Sequence, residues 1–554
     1  MPSFTVQIHR GEAADRLLGD SAFMLEWAAL YDQCPWATPL QSPELAGAWY
    51  RVYRETQEPI LALARDGEKL IGLLPLTRAD ADGELTVAGA HQAEYKTWIC
   101  LPAFANEFPA QALPAVLAAF PGSDLSFRYL PPNTPIDWLA GSTLQKLSLL
   151  RTFKRPLLEL GADGSGALVK KTNKRRLRSM KKVGAMDFQR ITDPAQFESL
   201  LDEIIPYYDA RQLAVYGAPP FADDPLKKPY HEAMMRSPRS LHVTVLRLGR
   251  QFASAHVNIC HGKTVQLGFT VHNPLLWKHS PGKFHIHFLT QMLAQEGFER
   301  VDLTPGGESY KQRVANNFDD AHMLTVYATP ARRLRGTLKA KAETKAMQWL
   351  ALRGKSPADF RNWMNGILDF RPSSLARMLR PRPKPHLFAA DVHCAPTPAP
   401  NIRRDDLKDL LAYTGPSRQR FMSTALRRIE EGQHVYTRVE NGRLTQCGWL
   451  IETPDEQTVA QSLPRLAVPP RHALALDLQT FGKFASPLAL LRAMRNDTAG
   501  VDGIDRLIVA LPDFGFDRES LRAEGFTPVT ALTGQFRVAA PAAFATKELH
   551  LAKG

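Results

Sequence analysis

Several short stretches of this chain carry groups that could do chemistry on an acyl or phosphoryl compound. Ser280, Pro281, Gly282 and Lys283 combine turn formers with a cation where an apolar periodicity begins, and Asp302, Glu308, Tyr310 and Lys311 follow downstream. The first amide hydrogens of a helix have no intrahelical partner and its dipole is positive there, so a helix opening at Pro281 beside Lys283 suits a phosphate or pyrophosphate. Asp302 or Glu308 could take a proton, and a phenol such as Tyr310 could return one. Lys311, with an unperturbed pKa of about 10.4, suits an anionic group better than the role of base. His256 stands on an apolar strand pattern, where a lone histidine is more often packed than catalytic.

These groups need elements to position them. Phe284, Ile286, His287, Phe288, Met292 and Leu293 recur at helical spacing, Gly297 can stop the helix, and Arg300 to Leu303 reads as a short buried strand broken by Thr304 to Gly307. Upstream, Leu241 to Leu248, Ser254 to Cys260 and Thr264 to Val271 alternate as strands, preceded by helices at Pro194 to Arg211 and Phe221 to Met235. Gly268, Phe269 and Thr270 then lie on the strand that leads to the anion seat.

The ordered set of Ser-Pro-Gly, helix, Gly297-Phe298, strand with Asp302, Gly307-Glu308 and Tyr310-Lys311 resembles the final third of GNAT-type acyltransferases associated with cellulose and exopolysaccharide biosynthesis. Those are relatives of the FemAB peptidyltransferases, with two GNAT lobes in one chain. Asp66 to Leu76 is similar to a phrase of that family's first lobe, although no such anion loop precedes the helix at Pro109 to Phe120. The resemblance implies an α+β fold of tandem GNAT-like lobes with mostly antiparallel central sheets. It implies acyl-CoA, with its pyrophosphate on Ser280, Pro281, Gly282 and Lys283 and its pantetheine beside a splayed strand at Gly268, Phe269 and Thr270. The backbone there would polarise the thioester, Asp302 or Glu308 would act as base, Tyr310 as acid, and His256 could face the cleft. The acceptor would be an amine or hydroxyl, of a saccharide or envelope component, met by Lys311, Arg211 and the basic run holding Lys174 and Arg178. Two alternatives are an aminoacyl-tRNA-dependent transferase of the FemAB kind and a non-catalytic scaffold of a polysaccharide machine.

Bulk properties narrow the field. With 554 residues the chain exceeds one core, and its net charge of +13 favours anionic partners. Cys34, Cys100, Cys260, Cys394 and Cys447 are scattered without metal or disulfide spacing, which fits a reducing cytoplasm and no bound metal. No signal peptide or membrane span is expected. The expected units are a lobe over 1–155, a second lobe with the acyl-CoA site over 156–330, a basic linker over 331–389 and a degenerate GNAT-like domain over 390–554.

Within these, the run from Lys170 to Lys182 spreads charge around nearly a full helical circumference, so it cannot be an ordinary core-facing helix. Phe360 to Phe370 is amphipathic enough to touch an anionic membrane, with packing across the lobes the plainer expectation. The sequence Pro381 to Pro385 reads as extended, and Thr480 to Pro487 keeps only Gly482 and Lys483 of a phosphate loop. A helix ending at Glu524-Gly525-Phe526, then strands at Val529 to Leu532 and Gly534 to Val538, would close the last domain.

Overall fold

A computed structural model describes residues 4–79, 84–161, 171–238, 240–306, 308–353, 386–454, 471–481, 486–511 and 518–529. The chain forms two compact units, Met1–Asp369 and Phe370–Gly554. The fold is α+β, with mostly antiparallel sheets flanked by helices.

In the first unit, strands Val6–Arg10, Glu58–Asp66, Lys69–Arg78 and Thr86–Val87 form a meander in that spatial order, with Ile99–Cys100 also paired to Lys69–Arg78. Helices Ser21–Gln33 and Glu107–Ala119 pack on it. Phe108 of the second lies so close to Gly72 that any Cβ there would clash with its ring. After the opening strand a helix spans Glu12–Gly19. Its Leu17 and Leu18 pack against the core.

The second sheet has eight strands, in the spatial order Leu125–Leu130, Asn317–Val326, Ser148–Glu159, Arg300–Asp302, Thr264–His272, Gln251–His261, Leu241–Leu248 and Met186–Ile191. All its described pairings are antiparallel except Thr264–His272 with Arg300–Asp302, whose connection carries the helix Pro281–Gln295. The expected boundary at 155/156 falls inside Ser148–Glu159, which pairs with Asn317–Val326 from Val326↔Ser148 to Asn317↔Leu157. The polar alternation of that strand, Arg151, Lys154 and their neighbours, hid it from a search for apolar runs.

Two helices differ from expectation for local reasons. Pro194–Tyr216 runs on until Gly217, which takes φ 84 and lets its amide reach Leu213 O. The single helix expected over Phe221 to Met235 is two, Pro220–Asp223 and Lys227–Arg236. Buried Asp209 accepts from the amides of Phe221 and Ala222, both at 2.9 Å, and so anchors the first of them.

The basic helix Lys171–Val183 corrects the sequence argument about its circumference. Leu177 and Met180 form a narrow apolar stripe against Leu246, Leu248, Ala253, Leu276 and Phe284. Lys174, Arg175, Arg176, Arg178, Lys181 and Lys182 remain exposed. Two residues per two turns suffice to dock a helix otherwise made of charge.

Among the described residues the second unit has a seven-stranded sheet, ordered Arg403–Arg404, His434–Glu440, Arg443–Ile451, His472–Thr480, Arg506–Leu511, His386–Asp391 and Thr527–Pro528. The expected domain start at 390 falls inside His386–Asp391. The hairpin at Asn441-Gly442 has φ of 50 and 71, as a tight two-residue turn requires. His472–Thr480 runs parallel to Arg506–Leu511 around the helix Leu488–Thr498. A Cβ at Gly448 would stand 2.5 Å from Leu478 and 2.8 Å from Met494, so side chains fill the sheet face there. The segments 360–370, 381–385, 482–485 and 530–538 singled out from the sequence lie outside the described residues.

Candidate active site

The site begins where two parallel strands part. Thr264, Val265 and Gln266 pair with Arg300, Val301 and Asp302, and the ladder stops there. On the other side of the same strand, Val257 faces Phe269 while Ile259 faces Gln266, so Leu267 and Gly268 together oppose Asn258 in a bulge. Gly268 is required, since a Cβ would clash with the Val257 carbonyl oxygen. Beyond Asp302, Thr304 takes φ 60 and turns its chain away. Gly268, Phe269 and Thr270 therefore lack a ladder partner on the side of Arg300–Asp302.

The strand Thr264–His272 leads through the turn Pro274–His279 into the seat helix. Ser280 adopts a left-handed φ of 55, with its amide bonded to Trp277 O at 2.9 Å, and Pro281 stands at the first helical position. The Gly282 amide lies in the first turn, where no intrahelical acceptor exists, and space around its Cβ position is open. Lys283 Nζ donates to Asn173 Oδ1 at 2.9 Å, and Ser179 Oγ meets His279 Nδ1 at 3.1 Å. Both contacts tie the basic helix to the seat. The open Gly282 amide, the positive dipole and the held Lys283 cation make this helix start suited to an anion.

The downstream residues gather around the loop Thr304–Glu308. Lys311, buried, donates to Thr304 Oγ1 at 3.0 Å and stands 3.3 Å from Glu308 Oε2. The Glu308 carboxylate folds over Gly306, where a Cβ would clash with it. Tyr310 bonds to the Thr270 side chain, spanning the gap between the strands, and burial together with Glu308 pushes its phenol well above the ordinary range. Asp302 is buried and saturated. Its Oδ1 accepts from Thr304 N at 2.8 Å, and its Oδ2 from Tyr95 Oη at 2.7 Å and Arg155 Nη1 at 3.2 Å. Burial raises its carboxyl above the usual range, against the pull of Arg155.

Sequence reasoning missed Glu94, Tyr95, Arg128 and Arg155, yet the first 160 residues supply all four. Burial raises the Glu94 carboxyl, while Arg128, Lys311, Glu308 and Asp302 all act on it electrostatically. The only local signal was a carboxylate embedded between Ala93 and Tyr95 in a loop whose neighbours are buried.

Other chosen residues stand apart. His256 is buried, its ring stacked 4.0 Å from that of His285 on the seat helix, and burial pushes it down to about 3. Phe269 turns into the core, 5.0 Å from Tyr208 and 5.3 Å from His231. Lys174 and Arg178 are exposed on the basic helix, and Arg211 is exposed on Pro194–Tyr216, its charge felt by His272. Among the described residues no group of three His, Cys, Asp or Glu could hold a metal ion.

Residues 168–312 match the family model described as an acetyltransferase (GNAT) domain. That segment holds the seat, the bulge and the loop. No sequence among the curated proteins matches the chain. Similar solved structures include FemX, at 8% identity over 56% of this chain and 98% of that one with a TM-score of 0.38. Another is L-PGS from Bacillus licheniformis, at 8% over 56% and 92% with a TM-score of 0.37. A tandem GNAT protein from the clavulanic acid biosynthesis pathway gives 13% over 59% and 99%, with a TM-score of 0.34.

Proposed function

We propose that the first unit is an acyltransferase that moves an acyl group from acyl-CoA to an amine or hydroxyl acceptor. The observation that carries this reading is the parting of Thr264–His272 from Arg300–Asp302, on a strand that leads directly to the open helix start at Ser280–Lys283. A thioester lying along Gly268 to Thr270, which have no ladder partner on that side, would have backbone amides there to polarise its carbonyl. The acceptor's nucleophile attacks the carbonyl carbon, its proton passes to Glu308 or Glu94, and the C–S bond breaks. Tyr310 donates its phenolic proton to the departing thiolate and recovers one from solvent or the carboxylic acid. Asp302, with both oxygens engaged, holds the lobes together instead of acting as base. Lys311 keeps the loop closed, and a saccharide or envelope amine is the acceptor class to try first.

The test is thermal unfolding with acetyl-CoA. Ligand at a hundredfold excess over Kd adds about 2.7 kcal/mol, worth roughly 3 to 4 °C in all for a unit of this size. Gly282→Asp places a carboxylate at the seat in open space, so the variant should fold and show no shift. If the unaltered protein shows no shift with any acyl-CoA, that donor is wrong.

A second reading uses aminoacyl-tRNA as donor. It is favoured by the six exposed cations of Lys171–Val183, tied to the seat through Asn173 and Ser179. Steeply salt-dependent tRNA binding, lost with those cations, would support it.

A further inference from the structure

The helix Pro330–Leu352 is held to the first unit along one face. Arg333 Nε donates to Ser148 O at 2.9 Å, Arg151 pairs with Glu343 at 3.2 Å, Leu350 is buried, and Gly336 leaves room only for the Tyr327 hydroxyl. On the opposite face Leu334 is 61% exposed, Leu338 59%, Trp349 47% and Leu352 87%. Helical spacing puts these four in one stripe, with Lys341 and Lys345 between the two apolar pairs. Arg335 and Arg353 border it, and the Arg353 guanidinium stacks 4.0 Å over Trp349. Glu343 is the one acid of this helix, and Arg151 already engages it.

We propose that this face docks on an anionic phospholipid surface. A helix that is merely solvated needs cations but not four large apolar groups in a row. A nucleic acid would neutralise the cations and leave Leu334, Leu338 and Leu352 in water. A lipid interface uses both kinds of residue: the leucines and Trp349 enter the boundary between headgroups and chains, while Lys341 and Lys345 extend their stems along it and keep their ammonium groups among the phosphates. The contact is peripheral, since no described helix is long and apolar enough to cross a membrane. It brings the acyltransferase of the first unit to a membrane surface, and it does not depend on which donor that site uses.

The test is flotation of the full chain with vesicles of phosphatidylcholine alone or with about one-third phosphatidylglycerol. The protein should float with the anionic vesicles and stay behind with the neutral ones. The triple variant Leu334→Gln, Leu338→Gln, Trp349→Gln and the double variant Lys341→Gln, Lys345→Gln should each lose at least about tenfold in apparent affinity. Their melting temperatures should be unchanged, because every altered side chain is exposed. Undiminished flotation of either variant, or equal recruitment to neutral vesicles, overturns the proposal. So does tRNA binding that the double variant loses when no vesicle is bound, or a dimer in light scattering that the triple variant converts to monomer.

Discussion

At Gly268 the geometry leaves a single amino acid. A methyl group there meets the Val257 carbonyl, so Gly268→Ala must shift the bulge or lose it. The expected cost is roughly 1 to 3 kcal/mol in chemical denaturation, with acyl-CoA binding lost. Asp302 and Glu308 should separate cleanly. Asp302→Asn disturbs a buried pair with Arg155 and should cost roughly 3 kcal/mol. Glu308→Gln takes a partner from buried Lys311 and should cost less than Asp302→Asn, since Glu308 is partly exposed, while lowering turnover about a hundredfold, unless Glu94 is the base, in which case Glu94→Gln carries that loss. Single-turnover rates measured beside melting curves tell these apart. Of these residues, Asp302, Glu308, Tyr310 and Lys311 were legible because they cluster in sequence. Glu94 and Tyr95 were not, because the Tyr95 to Asp302 hydrogen bond joins residues 207 positions apart.

At the level of elements, the layer between the sheet and its helices is unusually rich in neutral histidine. Burial pushes His256 down to about 3 and His231 and His272 to about 4, from 6.5 in an unfolded chain. The sign is that of an acid-labile fold. Above pH 6.5 neither state is protonated and nothing is lost; below it the unfolded chain binds protons that the folded one refuses. Each histidine should remove roughly 2 kcal/mol by pH 5, and urea midpoints at pH 7 and pH 5 check it. His256→Asn should remove one such increment, roughly 2 kcal/mol between pH 7 and pH 5, from that dependence. Periodicity located these strands and helices well, because apolar side chains recur where burial demands it. The strand Ser148–Glu159 and the docked stripe of Lys171–Val183 escaped it: both present charge to water and apolar atoms at only a few positions.

For the whole molecule, each unit has its own core, one centred on residues such as Trp27, Trp98 and Phe127, the other on Leu450, Leu490 and Val509. Calorimetry should therefore resolve two transitions, of which acyl-CoA raises only that of the first unit; a shift of both would place a donor site in the second as well. The α+β class was readable from alternating and helical patterns. The expected bounds at 155/156 and 389/390 fall within the strands Ser148–Glu159 and His386–Asp391, whose polar residues make their extent hard to read from apolar runs. The order of the eight-stranded sheet also bears on how the chain is made. Ser148–Glu159 lies between strands that emerge from the ribosome much later, and the contact of Glu159 with Arg300 closes 141 residues. During synthesis that segment has neither lateral neighbour, so a nascent chain paused between them exposes two unsatisfied edges at once. Slow translation through the 160–300 interval should therefore convert this protein into inclusion bodies far more readily than slow translation after residue 330.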